Sequence, residues 1–146
     1  MTPRTIAVVL VALAAATGLL DACTSQPTSP AECRPTALTH QGSLVELVAD
    51  PPESSIRAIV PGAAPPAAGQ PYHVRWLVDW RKASGELKFL GQREGTGQLY
   101  REQVATSSVS GLIAEFQAAL VFPANGCWDA DISTGTAQGS LTFRVA

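Results

Sequence analysis

The chain has 146 residues, of which 46% are hydrophobic and 15% are charged. This composition suits one compact domain and excludes a largely disordered protein. The formal net charge at pH 7 is −2, and the charges are spread without runs, which excludes the basic patch of a nucleic-acid-binding protein or of one held by anionic lipid headgroups.

The N-terminus has the pattern of a secretory signal peptide. Arg4 is the only charged residue before Asp21, and residues 6–20 form an unbroken run of apolar or small side chains. A positive start followed by an apolar stretch of this length directs export, and the stretch is too short for an ordinary membrane-spanning helix. We therefore expect residues 1–22 to be a signal peptide, with an uncleaved N-terminal anchor as the alternative.

A cysteine follows the apolar run closely. Leu20, Asp21, Ala22 and Cys23 resemble the lipobox of bacterial lipoproteins, which has an aliphatic residue three positions before the cysteine and a small residue directly before it. Asp21 departs from that pattern, because its position usually holds a small or aliphatic residue. The resemblance implies cleavage before Cys23 and a lipid on its sulfur, which would anchor the protein on the extracytoplasmic face of a bacterial membrane. Residues 23–32 are rich in Ser, Thr and Pro, as in a flexible tether.

Three cysteines in an exported protein cannot all pair, because each disulfide uses two. If Cys23 carries a lipid, Cys33 and Cys127 remain as one pair, and the oxidising surroundings of an exported protein permit the bond. A loop of this length would stabilise the fold by about 4 to 5 kcal/mol in the chain-entropy account. The alternative is ordinary signal cleavage near Ala22, which would leave Cys23 as a free thiol.

Alternation of apolar and polar side chains predicts β-strands after the tether. In residues 73–80, every second side chain from Val74 to Trp80 lies on one face. Residues 86–90 alternate in the same way after a short turn-like stretch. The two segments are therefore expected to form a hairpin.

The C-terminal part of the chain predicts a second hairpin. Residues 127–133 and 140–146 alternate between apolar and polar side chains, and residues 134–139 have the composition of a loop. Trp128 is expected on the inner face, packed against the disulfide of the neighbouring Cys127.

The rest of the chain contains further short elements. Strand candidates are residues 43–50, 55–60 and 98–104. Residues 110–122 fit either a strand or a short helix, and residues 61–71 read as a Pro-rich surface loop. So many short strands favour two packed sheets, and we expect residues 33–146 to form a single antiparallel β-sandwich.

Residues 115–145, roughly a fifth of the chain, resemble the closing hairpin of a group of bacterial secreted Ig-like domains. The resemblance rests on four short motifs: Phe116-Gln117, Phe122-Pro123, Gly126-Cys127-Trp128 and Leu141-Thr142-Phe143. In that group the partner cysteine lies near the mature N-terminus in a Cys-Pro-x-Thr context; here the corresponding residues are Cys33, Arg34, Pro35 and Thr36. The resemblance implies an Ig-like sandwich and the pair Cys33–Cys127, and it supplies no catalytic residue.

Few residues suggest chemistry. The two histidines, His40 and His73, are expected to face solvent, and the chain lacks a Gly-x-Ser-x-Gly nucleophile motif. Asp129 and Asp131 lie two apart on one strand face, yet no adjoining loop supplies the remaining oxygens that Ca²⁺ requires. We therefore expect no catalytic site, no cofactor and no metal.

Trp76 and Trp80 allow two interpretations. Buried beside Val74 and Val78 they would be core, which we favour; exposed together they would form a platform for sugar rings. We expect a non-enzymatic, lipid-anchored binding or accessory module of the cell envelope, with an envelope protein or glycan as partner. The alternatives are a carbohydrate- or peptidoglycan-binding module that uses both tryptophans and, less favoured, a small hydrolase that uses one of the histidines.

Overall fold

The computed structural model describes residues 32–146, so the predictions for the signal peptide and for Cys23 concern residues outside the described part. Ten strands account for most of the described chain. They are β1 (Leu38–Gln41), β2 (Leu44–Val48), β3 (Ile56–Val60), β4 (Tyr72–Asp79), β5 (Leu87–Arg93), β6 (Leu99–Val104), β7 (Thr106–Ser110), β8 (Ile113–Leu120), β9 (Gly126–Thr134) and β10 (Ala137–Val145). A short 3₁₀ turn, Pro52–Ser54, separates β2 from β3.

The strands form two antiparallel sheets that pack face to face. The larger sheet has the order β1-β2-β3-β4-β8-β7, and the smaller one has the order β10-β9-β5-β6. The predicted all-β sandwich is confirmed. Its edge strands are β1 and β7 in the larger sheet and β10 and β6 in the smaller one.

The core lies between the inner faces of the sheets and is built from period-two alternation. In β4 the residues Tyr72, Val74, Trp76 and Val78 are buried and point inward, while their neighbours point outward. Aromatic rings from both sheets meet in the middle, and the ring centres of Phe122 and neighbouring aromatic residues lie 5.5 to 6.1 Å apart. Such a cluster of large apolar side chains holds the two sheets together because its burial removes much apolar surface from water.

The predicted hairpin of β4 and β5 is wrong. Strand β4 pairs with β3 and β8, and β5 pairs with β6 and β9, so the chain changes sheets between them. The physical reason is the corner at residues 80–86. There the carbonyl oxygen of Lys82 accepts a hydrogen bond from Thr136 N, and that of Ser84 accepts one from Thr134 Oγ1. The corner is thereby fixed to the turn of the smaller sheet.

The ambiguous segment at residues 110–122 is resolved as a strand. Ala114, Phe116, Ala118 and Leu120 of β8 are buried alternately, which is the period of a strand rather than of a helix.

The hairpin of β9 and β10 is confirmed, with a tighter turn than expected. Thr134 pairs with Ala137, so only Gly135 and Thr136 remain in the loop. Gly135 has φ 55°, a backbone conformation that favours glycine. The predicted alternation holds as well, because Trp128 and alternate residues after it point inward.

Candidate functional site

The predicted cysteine pair is confirmed. The sulfur atoms of Cys33 and Cys127 are 2.18 Å apart, and their Cα atoms are 5.4 Å apart. Cys127 is the second residue of β9, which lies inside the smaller sheet, and Cys33 lies in the segment before β1. The start of the domain is therefore attached covalently to an interior strand.

Hydrogen bonds attach the same segment to the edge strand β10. Thr36 N donates to the Thr142 carbonyl oxygen at 2.9 Å, and Thr142 N donates to Thr36 Oγ1 at 2.8 Å. Arg144 Nη2 donates to the Cys33 carbonyl oxygen at 2.8 Å. We call these five residues, Cys33, Thr36, Cys127, Thr142 and Arg144, the N-terminal junction. It fixes the point at which the domain meets the chain that precedes it.

The expected packing of Trp128 against the disulfide is wrong. Adjacent residues of a strand point to opposite faces. Trp128 is buried on the inner face, where its ring contacts Phe122 and its Nε1 donates to the Ala124 carbonyl oxygen at 3.0 Å. Cys127 pairs with the exposed Arg144 and lies toward the outer face. Trp128 is therefore part of the core and not a cover for the disulfide.

The two tryptophans of the predicted platform differ in burial. Trp76 is 0% exposed and packs near Phe89, whose ring centre is 6.2 Å away. Trp80 is 46% exposed, because β4 ends at Asp79 and the chain turns at that point. The core interpretation is confirmed for Trp76 and wrong for Trp80, and the two indoles do not form a shared sugar-binding platform.

The histidines lie on different faces of the larger sheet. His40 is part of β1, and its register partner is the inward-facing Val45. His73 lies on the outward face of β4, with the exposed Ala119 as register partner. Both are exposed, and β2 and β3 separate their strands. They are therefore not combined in one site.

Asp129 and Asp131 lie on the outer face of β9, as the alternation predicts. The Oδ1 of Asp129 accepts a hydrogen bond from Thr142 Oγ1 at 2.8 Å. Within residues 32–146 no group of three or more His, Cys, Asp or Glu side chains is placed to hold a metal ion. The interaction visible at Asp129 is thus a cross-strand contact that supports the junction.

A cavity of about 300 Å³ opens at the side of the sandwich, beside the N-terminal junction. Its floor consists of three core residues, Leu47, Tyr72 and Phe143, and its walls are residues 35–38 and 63–66. We call it the side pocket. It lies where β1 and β2, at one edge of the larger sheet, face β10 of the smaller sheet. Three residues of the N-terminal junction, Thr36, Thr142 and Arg144, also line the side pocket.

The walls of the side pocket are held in place by backbone hydrogen bonds. The loop that contains residues 63–66 is fixed to the C-terminus, since Ala68 N donates to the Ala146 carbonyl oxygen and Ala146 N donates to that of Pro66, both at 2.8 Å. Gly69 N donates to the Phe122 carbonyl oxygen at 2.8 Å. The predicted surface loop at residues 61–71 contains no strand, and these bonds make it a fixed wall.

Sequence reasoning missed the side pocket. The only available signal was the run of small and proline residues from Ala63 to Pro66, which reads as a loop whether or not it borders a cavity.

Tyr72 lies in the floor of the side pocket. Burial raises the pKa of its phenol above the ordinary value of 10.0, so this hydroxyl stays protonated well above neutral pH.

Comparisons with known protein families, with curated proteins and with solved structures give no match to this chain. In the part of the chain that the structure describes, none of the elements is a helix long and apolar enough to cross a membrane. A function for this chain therefore has to be inferred from its residues and from their arrangement.

Proposed function

We propose that the protein is a lipid-anchored, extracytoplasmic binding or accessory module of the bacterial cell envelope, tethered through Cys23. The observation that carries the proposal is the cysteine count. Cys33 and Cys127 lie at disulfide distance, so Cys23 is the one cysteine of three left outside the pair. A lipid on its sulfur accounts for an odd cysteine directly after an apolar leader.

The arrangement of the tether supports the same proposal. Residues 23–32 are rich in Ser, Thr and Pro, and the described domain begins with the junction at Cys33. A flexible segment of this kind separates a folded domain from the bilayer surface. More than one acyl chain on Cys23 would give stable anchoring.

The disulfide supports an exported location. Disulfides persist in oxidising compartments and are rare in the reducing cytosol. We further propose that the sandwich is Ig-like, on the strength of the Gly126-Cys127-Trp128 motif and of the sequence resemblance that it carries. The proposed role is binding or accessory rather than enzymatic, because the two histidines are separated and exposed.

Intact-mass measurement of protein extracted from the membranes of producing cells tests the proposal. We expect a chain that begins at Cys23, carries acyl groups and lacks the two thiol hydrogens of Cys33 and Cys127. In the matched variant Cys23→Ala the acyl mass is absent and the protein moves from the membrane fraction to the soluble fraction. An unmodified thiol at position 23 in the wild type, or equal fractionation of the two proteins, would overturn the proposal.

A further inference from the structure

We propose that the side pocket binds the hydrocarbon chain of a fatty acid, with the carboxylate at the exposed guanidinium of Arg144. This inference deepens the proposed function by naming the ligand class of the module, and it rests on that function only for the supply of acyl lipids from a nearby bilayer. The binding itself is a property of the folded domain.

The lining favours a hydrocarbon ligand. The floor is Leu47, Tyr72 and Phe143, and much of the wall is the side chains of alanine and proline residues. The cavity of about 300 Å³ matches the lower end of small-molecule pockets, roughly 300 to 1,000 Å³. A hydrocarbon placed there is removed from water against apolar side chains, which is favourable by the hydrophobic effect.

The hydroxyl groups of the two threonines in the lining, Thr36 and Thr142, already make hydrogen bonds within the protein. Thr36 Oγ1 accepts from Thr142 N, and Thr142 Oγ1 donates to Asp129 Oδ1. A ligand with many hydrogen-bonding groups would therefore leave most of these groups without partners inside the pocket, which is costly. This argues against a sugar and in favour of a chain that is apolar along its length.

A cationic residue, Arg144, is among the residues that line the pocket. Arg144 is exposed, and its Nη2 is the one guanidinium nitrogen with a hydrogen bond to residues 32–146, in which it donates to the Cys33 carbonyl oxygen. A guanidinium has five N–H donors in a fixed arrangement that suits a carboxylate. Arg144 points to the outer face and Phe143 to the inner face, and β10 is an edge strand. A ligand with its anionic head group at Arg144 therefore passes over this edge, with its chain toward Phe143.

The position of the pocket relative to the tether favours an acyl ligand over other apolar molecules. Pro35 lines the pocket and lies twelve residues after Cys23. Even a fully extended chain of this length reaches only about 40 Å, at roughly 3.3 to 3.6 Å per residue. A lipid on Cys23 would therefore keep the pocket close to a surface made of acyl chains.

Binding of dodecanoate, measured by titration calorimetry below its micelle concentration, tests the inference. The protein is the Cys23→Ala variant, purified as the producing cell processes it, so that an attached lipid cannot compete. We expect one dodecanoate per protein, no binding of acetate, and at least tenfold weaker binding in Ala64→Phe, which fills the pocket. Ala67→Phe is the matched control, because Ala67 lies in the same loop, is exposed and does not line the cavity.

A second comparison tests the orientation of the ligand. Arg144→Gln should weaken dodecanoate about tenfold and leave the binding of dodecanol unchanged. Absence of dodecanoate binding, or equal weakening by Ala64→Phe and Ala67→Phe, would overturn the inference. If Ala64→Phe fails to fold, as judged by its thermal transition, Ala63→Phe takes its place. The proposed anchoring is tested separately by intact mass, so failure of one leaves the other standing.

Discussion

Arg144 and Cys33 are joined by a hydrogen bond, in which Arg144 Nη2 donates to the Cys33 carbonyl oxygen at 2.8 Å. Arg144 is the register partner of Cys127, and Cys127 is bonded to Cys33. One hydrogen bond, one disulfide and one register pair therefore connect the first described segment to the last two strands. Because 94 positions separate the two cysteines, this contact closes most of the domain into one loop.

Loss of the disulfide is expected to destabilise the domain. Cys33→Ala should lower the free energy of unfolding by about 2 to 5 kcal/mol, because the unfolded chain regains the entropy of a long loop. Urea denaturation measures the change. The double variant Cys33→Ala/Cys127→Ala should be about as stable as either single variant, since the bond is lost only once. Thiol labelling that finds both cysteines reduced in wild-type protein isolated without a reductant would contradict this prediction.

The turn between β9 and β10 is expected to tolerate no side chain at Gly135. An added Cβ would clash with the backbone carbonyl oxygen of Lys82 and lie 2.8 Å from Ser84 N. Gly135→Ala should therefore cost at least ~2 kcal/mol more than Gly95→Ala. Gly95 is the matched control, because its φ of 73° imposes similar backbone strain while nothing lies within 4 Å of its added Cβ. Equal losses in denaturant unfolding would show that the β4–β5 corner does not depend on this close approach.

The two buried tryptophans are expected to respond differently to the same substitution. Trp128 Nε1 donates to the Ala124 carbonyl oxygen, whereas Trp76 Nε1 is buried and finds no acceptor among the described residues. Trp128→Phe loses that hydrogen bond, and Trp76→Phe removes a donor that has no partner. Trp128→Phe should therefore cost about 1 kcal/mol more, the usual net value of one hydrogen bond. Both variants lose the same ring volume, so a larger cost for Trp76→Phe would contradict the assignment.

Alkaline pH is expected to destabilise the domain through its two tyrosines. Burial raises the pKa of Tyr72 and of Tyr100 above 10.0. Between pH 10 and those higher values the folded protein keeps protons that the unfolded chain has lost, so the free energy of unfolding falls as pH rises above about 10. Below pH 10 the contribution is constant. Absorbance titration of the phenolates, beside denaturation at each pH, measures both quantities, and Tyr72→Phe should reduce the slope.

Local patterns in the sequence predict much of the sandwich. The alternation through Val74, Trp76 and Val78, and again through Trp128, Ala130 and Ile132, fixes which side chains enter the core. Each pattern is read within one strand and depends only on the period of two. The pairing of Cys33 with Cys127 is predicted by the number of cysteines: if one of the three carries a lipid, two remain to form a disulfide.

Contacts between distant segments could not be predicted. Whether β4 turns back beside β5 or crosses to the other sheet is decided by hydrogen bonds that the turn near residue 135 donates to the carbonyl oxygens of Lys82 and Ser84. Trp80 continues the alternation in the sequence, but the strand ends one residue before it. The side pocket depends on how residues 63–66 are fixed against the C-terminus, which no local pattern encodes.

The bond between Cys33 and Cys127 also decides how the domain withstands mechanical force. A pull on the chain ahead of Cys33 passes through a covalent link into β9, which has β10 and β5 as neighbours on its two sides. The tension therefore bypasses β1, the four-residue edge strand that would otherwise be the first to peel away. A domain held at this one point should keep its sheets intact under shear at a surface for as long as that bond stays oxidised.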